Sequence, residues 1–457
     1  MLLASGRSFI APGLIGLLLL CFALRTRRQG ERRRPAHRRG ARVLSRGSGR
    51  SWMRRIFGST RELSLAGVAV PALDETKHFK MIGTTGTGKS TAIHALLAAA
   101  LARGDRAVIA DPEGGYCERL YRPSRGDRLL NPFDARSERW DPFSELEQPY
   151  DFEQLASALV PNSEDSSTRE WRGYARTLLS AVLRQCRHRG QGDLHVLWHL
   201  LTTAGFEQLR PFVADTPAQP FLEPENARMF GSIRSVLLSS IAALDHIRAQ
   251  RAASFSVRQW VRTGRGVLFL PYQAGQVAAL RGIIAGWMRL AIVETMSQPG
   301  SRDQRLWFVI DELDALGAID GLKDALARLR KFGGRCVIGF QSIAQVSGTY
   351  GASEAQTIVE NCGNSLILRC SASEQGGTAQ FASRLIGERE IQRYQVSRTR
   401  DRSLGWSLRD ARRSVQISEL AGTEVALMPS EIEQLPDLCG YLKLASSPAW
   451  RRVRLRP

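Results

Sequence analysis

Gly83, Thr84, Thr85, Gly86, Thr87, Gly88, Lys89 and Ser90 fit the pattern G-x-x-x-x-G-K-[ST] without deviation. Such a loop cradles phosphates. Its glycines let successive backbone N–H groups curl around the oxygens, and the lysine ammonium reaches the β and γ phosphates. The serine hydroxyl ligates Mg²⁺. With Thr91 these residues form the candidate nucleotide-binding set, and ATP with Mg²⁺ is the expected cofactor. The other half of such a site is an acid pair at a strand end. The apolar run 306–310 (LWFVI) stops at Asp311-Glu312. That places an aspartate for the Mg²⁺ shell, together with Ser90, beside a glutamate able to polarise an attacking water. Alone, a strand ending in Asp-Glu is common; paired with a phosphate loop it is the expected partner. A further run, 335–340, ends at Gln341-Ser342. The Gln341 amide either caps that strand end or senses a γ-phosphate.

These side chains work only if strands and helices carry them to one place. The run HFKMI at 78–82 predicts a strand feeding the loop. Ile93, Leu96, Leu97, Ala100 and Leu101 recur at helical spacing behind it, and Gly104 supplies the stop. A second strand at 107–110 ends at Asp111-Pro112, and 266–272 and 364–369 give two more. Strands alternating with helices predict an α/β fold with a mainly parallel sheet covered on both faces. Residues 151–251 break the alternation with helical segments separated by Gly-, Pro-, Asn- and Ser-rich turns, and read as an inserted all-α domain. Residues 56–150 and 252–457 then form the nucleotide-binding domain. Residues 387–416, rich in Arg, Asp and Ser with little apolar period, read as a mobile surface excursion.

The formal charge of +20 is unevenly placed, because residues 1–55 hold 14 arginines against one acid, Glu31. Residues 8–24 carry no charge, and arginines follow at once from Arg25. A helix of that length spans roughly 25 Å, slightly short of a bilayer core. A cleaved signal peptide would want its charge before the apolar stretch and a small-residue cleavage site after it. The segment therefore reads as a single-pass inner-membrane anchor with the bulk of the chain cytoplasmic. The arginine-rich stretch behind it meets either anionic headgroups or nucleic acid. Seven cysteines without a C-x-x-C pair predict reduced thiols, with neither disulfides nor structural zinc.

From about residue 60 to 457 the chain resembles the type IV coupling proteins, the TraD/TrwB-like ATPases of conjugative DNA transfer. The resemblance rests on ordered matches. They are the phosphate loop, Ala110-Asp111-Pro112, Asn131-Pro132-Phe133-Asp134, Glu170-Trp171, the strand ending in Asp311-Glu312-Leu313 and Gly339-Phe340-Gln341-Ser342. Met428-Pro429-Ser430-Glu431-Ile432 and Leu435-Pro436-Asp437-Leu438 complete them. It implies a RecA-like nucleotide-binding domain with an all-α insert, a homo-hexameric ring and sequence-nonspecific DNA in its channel. A relaxase as partner and delivery to a type IV secretion channel are implied too. It also implies that Arg330, in Arg330-Lys331-Phe332-Gly333, reaches the ATP of a neighbouring subunit. Read from spacing alone, Arg330 lies on a solvated basic face. Such proteins usually carry two transmembrane helices, and this sequence has room for one. Two other readings share some of these residues. An FtsK-type translocase would add several spans, a long linker and a winged-helix domain. A non-hydrolysing docking receptor would be expected to lose Lys89, Asp311 or Glu312.

Overall fold

The computed structural model describes residues 36–44, 62–163, 165–300, 304–374, 376–400 and 413–456. The expected anchor at 8–24 lies outside them. Among the described residues no helix is long and apolar enough to cross a membrane. The chain divides into two compact units. The described parts of Met1–Arg42 and Gly387–Ala426 form one, and those of Val43–Ile386 and Leu427–Pro457 the other.

The larger unit is built on a ten-stranded sheet. In chain order its strands are β1 (Arg42–Leu44), β2 (Phe79–Ile82), β3 (Arg106–Pro112), β4 (Arg128–Leu129) and β5 (Val267–Tyr272). They continue with β6 (Leu306–Ile310), β7 (Gly334–Phe340), β8 (Asn364–Ile367), β9 (Cys439–Lys443) and β10 (Ala449–Arg454). Across the sheet the order is β1-β10-β9-β8-β2-β7-β6-β3-β5-β4. Every pairing from β8 to β4 is parallel, whereas β9 runs antiparallel to both β8 and β10. The sheet is thus mixed, with a parallel centre.

Parallel strands buried on both faces read as unbroken apolar runs, and β6 (LWFVI) is buried at every position. Alternate side chains serve opposite faces. Ala107, Ile109, Phe269, Trp307, Val309 and Val337 share one core cluster with Ile93, Leu96, Leu97 and Ala100 of helix Lys89–Ala102. Helix Val277–Ser297 packs against β3 and β5 from elsewhere in the chain and buries Ile284, Met288 and Ile292. Helices Asp151–Leu159, Ser166–His188, Leu194–Thr202 and Ala227–Ile241 follow where the spacing predicts them, and the short helices Phe206–Leu209 and Ala243–Arg248 complete this stretch.

The smaller unit departs from expectation. Within 387–416 the chain forms strand Glu388–Arg400, which pairs antiparallel with Arg413–Val425. Strand Ala36–Gly40 lies on its other side. No apolar period announces this ladder, because charge pairs decorate it. Arg389 and Arg393 both bond Glu424 across the strands, and Arg38 and Arg39 bond Glu390.

Candidate functional site

Register brings the candidate residues to one sheet edge. Phe340 pairs with Ile82 and Ile310 pairs with Ala110, so Gln341 follows beside Gly83, and Asp311 beside Asp111. This is the carboxyl edge of the parallel strands, where open α/β sheets bind ligands.

The loop from Gly83 runs into helix Lys89–Ala102, with Ser90 and Thr91 in its first turn. Gly88 caps that helix with φ of +107°, and a Cβ there would meet Leu438 Cδ2 at 2.7 Å. Only glycine satisfies both demands. The loop is braced on two sides. Thr84 N–H donates to the Arg369 carbonyl at 2.9 Å, and Leu438 N–H donates to the Thr87 carbonyl at 2.9 Å. Inside the loop, Thr87 Oγ1 donates to the Thr84 carbonyl at 2.7 Å. A curled loop opening onto a helix N-terminus is a ready anion site.

Asp311 gathers three side chains. Ser90 Oγ donates to its Oδ2 at 2.6 Å, and Tyr116 Oη donates to the same oxygen at 2.8 Å. Lys89 Nζ stands 3.7 Å from Oδ1. Both Lys89 and Asp311 are buried, and Asp311 Oδ1 has no hydrogen-bond donor among the described residues. A buried anionic oxygen without a donor, beside a serine hydroxyl, is the hard-oxygen set that suits Mg²⁺. Among the described residues no three His, Cys, Asp or Glu side chains converge as a cage. Such a cation takes its remaining ligands from phosphates and water. Asp111, at the end of neighbouring β3, is spent differently. Its two oxygens accept the N–H groups of Tyr116 and Cys117 at 3.0 and 2.6 Å. Burial, with the Asp311 charge adding to it, pushes the Asp111 carboxyl up to about 6 despite those donors.

Glu312 points into a second chain of bonds. Gln341 Nε2 donates to Glu312 Oε1 at 2.9 Å, while Gln341 Oε1 accepts from Thr85 Oγ1 at 2.8 Å. The amide therefore bridges the loop tip and the acid, which is more than capping a strand end. Gly339 makes room for this corner, since a Cβ there would sit 2.3 Å from the Asp311 carbonyl oxygen and 2.9 Å from Oδ1.

Arg330 is not brought to this edge. It stands exposed in the 3₁₀ turn Leu329–Phe332, just before β7, whereas Gln341 follows the far end of that seven-residue strand. At about 3.3 Å per residue the separation is on the order of 23 Å. Among residues 151–251, three arginines are engaged within that segment. Arg169 and Arg172 donate to the carbonyls of Ser163 and Asn162, and Arg184 bonds Glu153. Sequence reasoning missed Tyr116, Gly339 and Leu438 as parts of the site. The Pro112-Glu113-Gly114-Gly115 run after Asp111 signals a sharp turn, and is the one clue to Tyr116.

Residues 62–456 match the family model of the type IV secretion-system coupling protein DNA-binding domain. The coupling protein TraD of Escherichia coli (strain K12) is 30% identical over 398 residues, covering 85% of this chain and 53% of TraD. The chain thus spans about half the length of that relative. VirD4 of Bartonella quintana is 25% identical over 266 residues, 54% of this chain and 40% of VirD4. The solved coupling protein TrwB, in complex with ADP and Mg²⁺, superposes with a TM-score of 0.79 at 31% identity. That alignment covers 92% of this chain and 94% of the TrwB chain. VirB4 of Thermoanaerobacter pseudethanolicus, at 14% identity and a TM-score of 0.53, shares the fold alone. The α/β nucleotide-binding fold, the ordered motifs and these likenesses agree: the chain belongs to the type IV secretion-system coupling protein family.

Proposed function

We propose that this chain is a DNA-stimulated ATPase that couples a relaxase-bound strand to a type IV secretion channel and pumps DNA by hydrolysing ATP. The observation that carries this reading is the convergence of phosphate loop, Asp311, Glu312 and Gln341 on one sheet edge. TrwB, of the same family, has been solved with ADP and Mg²⁺ and with an ATP analogue, which supports ATP and Mg²⁺ as the cofactors here. Ser90 and Asp311 would hold the cation, which neutralises phosphate charge when bound with the nucleotide.

Each residue has a separate task. Lys89 Nζ gives up its ion pair with Asp311 to the β/γ oxygens. Glu312 Oε accepts the proton of the attacking water. Gln341, tied to both Thr85 and Glu312, carries the presence of a γ-phosphate at the loop tip to the base. Arg330, some 23 Å from its own loop by the strand rise, acts on the site of the next copy in a homo-hexameric ring. An arginine supplied across an interface is worth roughly 10³–10⁵ in rate. DNA in the ring is held by its backbone, so binding is salt-dependent and indifferent to sequence. Residues 8–24 anchor the chain in the inner membrane, with its body in the cytoplasm.

The test is phosphate release by the full chain with and without DNA, in parallel with Lys89→Ala. DNA-stimulated hydrolysis abolished by Lys89→Ala is expected. An intact chain that binds ATP yet never hydrolyses it, with DNA present, would reduce it to a docking receptor. Fractionation with the membrane, and its loss on deleting residues 8–24, tests the anchor.

A further inference from the structure

The Asp111-Pro112 motif ends β3 beside the phosphate loop, yet Asp111 spends both oxygens on backbone N–H groups and reaches neither Lys89 nor Ser90. What it builds is a turn. Glu113 and Gly114 both adopt left-handed backbone, with φ of 59° and 72°. Glu113 N–H donates to the Tyr272 carbonyl at 2.7 Å, and Gly114 N–H to the Asp111 carbonyl at 3.3 Å. A non-glycine residue at positive φ persists only where its surroundings over-determine it. The outcome is that Tyr116, 4% exposed and packed in the core cluster, aims its hydroxyl at Asp311.

The carboxylate of Asp311 is thereby made asymmetric. Oδ2 takes two hydroxyl donors, Ser90 and Tyr116. Oδ1 takes none among the described residues, and faces Lys89. A carboxylate held at one oxygen by two donors cannot swing, so its other oxygen is presented in a fixed direction. Donors of this kind are what orient metal-binding carboxylates.

We infer that Tyr116 is a positioning residue for the divalent cation of this site: its hydroxyl, with that of Ser90, fixes Asp311 through Oδ2 and so reserves Oδ1 for the metal or its water. The inference rests on the nucleotide reading proposed above and gives the Asp111-Pro112-Glu113-Gly114-Gly115-Tyr116 run a task that its sequence does not announce.

The experiment is calorimetric ADP binding to the full chain and to Tyr116→Phe, each with saturating Mg²⁺ and with EDTA. Phenylalanine keeps the buried ring and removes only the donor. The expected result is an ADP Kd raised about tenfold in Mg²⁺, with the EDTA value unchanged. Asp111→Asn, which weakens the turn rather than the hydroxyl, should show the same metal-selective loss. Two results overturn the inference: a Tyr116→Phe protein with undiminished Mg²⁺ enhancement, or one with equal losses in Mg²⁺ and in EDTA, which would make the contact merely structural. ADP binding by the wild-type chain that gains nothing from Mg²⁺ would instead remove the nucleotide-metal reading beneath it, and that failure shows in the wild type alone.

Discussion

Gln341 and Glu312, at the ends of adjacent parallel strands, are joined by a 2.9 Å hydrogen bond from amide to carboxylate. Because the same amide accepts from Thr85 at 2.8 Å, the acid is wired to the tip of the phosphate loop. Binding and hydrolysis should therefore come apart on mutation. Glu312→Gln is expected to bind ATP normally and to lose about 10²–10⁴ in turnover, since an amide cannot take the water's proton. Gln341→Ala should also keep ATP binding and lose turnover by a smaller factor, because the base survives without its tie. Equilibrium binding of a non-hydrolysable analogue beside steady-state phosphate release measures both. Near-normal turnover in Glu312→Gln would take that residue out of the catalytic role.

Arg330→Ala is expected to bind ATP and assemble, and to lose most DNA-stimulated hydrolysis, by roughly 10³-fold. Mixing it with Lys89→Ala subunits is the sharper assay. One of the two mixed interfaces pairs an intact loop with an intact Arg330, so some activity should return. Full activity in Arg330→Ala alone would shift attention to Arg328 or Arg369.

His78 predicts an acid sensitivity of the fold itself. Its Nε2 lies 2.9 Å from the Leu326 carbonyl and its Nδ1 accepts the Cys336 N–H at 3.0 Å, tying the helix before Arg330 to β7. Burial, opposed by the Leu326 bond and assisted by Arg335 and Arg330, lowers its pKa from 6.5 to about 4. The folded imidazole stays neutral while the unfolded one takes up a proton below pH 6.5, so this group's contribution is whole above that pH. It is lost as pH falls toward 4. Between pH 7 and 5 the loss should be about 2 kcal/mol. Urea unfolding at both pH values reads it. His78→Gln should be less stable at pH 7 yet flatter across the interval, and an equally steep variant would contradict this.

Gly339→Ala should damage the site more than the fold. The new methyl would meet the Asp311 carbonyl at 2.3 Å and must displace it. Overpacking of this kind costs about 1–3 kcal/mol, and Mg²⁺-dependent ADP binding should weaken at least as much. Gly173→Ala, in open space within helix Ser166–His188, is the control and should stabilise by about 0.5–1 kcal/mol. Calorimetry and thermal unfolding of both variants decide it, and unaltered ADP binding in Gly339→Ala would refute the packing argument.

The parts of the site that are local in the chain are legible in its sequence. The glycine loop, Lys89 and Ser90 are contiguous, and the acids of β6 announce themselves as charges ending an apolar run. The parts that depend on register are not. Nothing in the spacing sets Tyr116 against Asp311, because that contact needs β3 beside β6 and a left-handed turn between Asp111 and the ring. Leu438 is legible only as one residue of a C-terminal motif; its packing on Gly88 follows from the antiparallel return of β9 and β10. The antiparallel strand pair of the smaller unit stays hidden because its register and its Arg389–Glu424 bond join residues distant in the chain.

The hydrogen bond from Leu438 to Thr87 has a consequence for how the molecule is made. The residue that braces the phosphate loop lies far downstream of it in the chain and is translated after it. At about 5–20 residues per second, the ribosome needs tens of seconds to cover the distance between them. Throughout that interval the loop lacks one wall, and Gly88 has no leucine to pack upon. A nascent chain therefore carries the nucleotide signature without a finished nucleotide site. Competence waits on distant sequence: the site closes only when β9 and β10 have been made and dock beside β8.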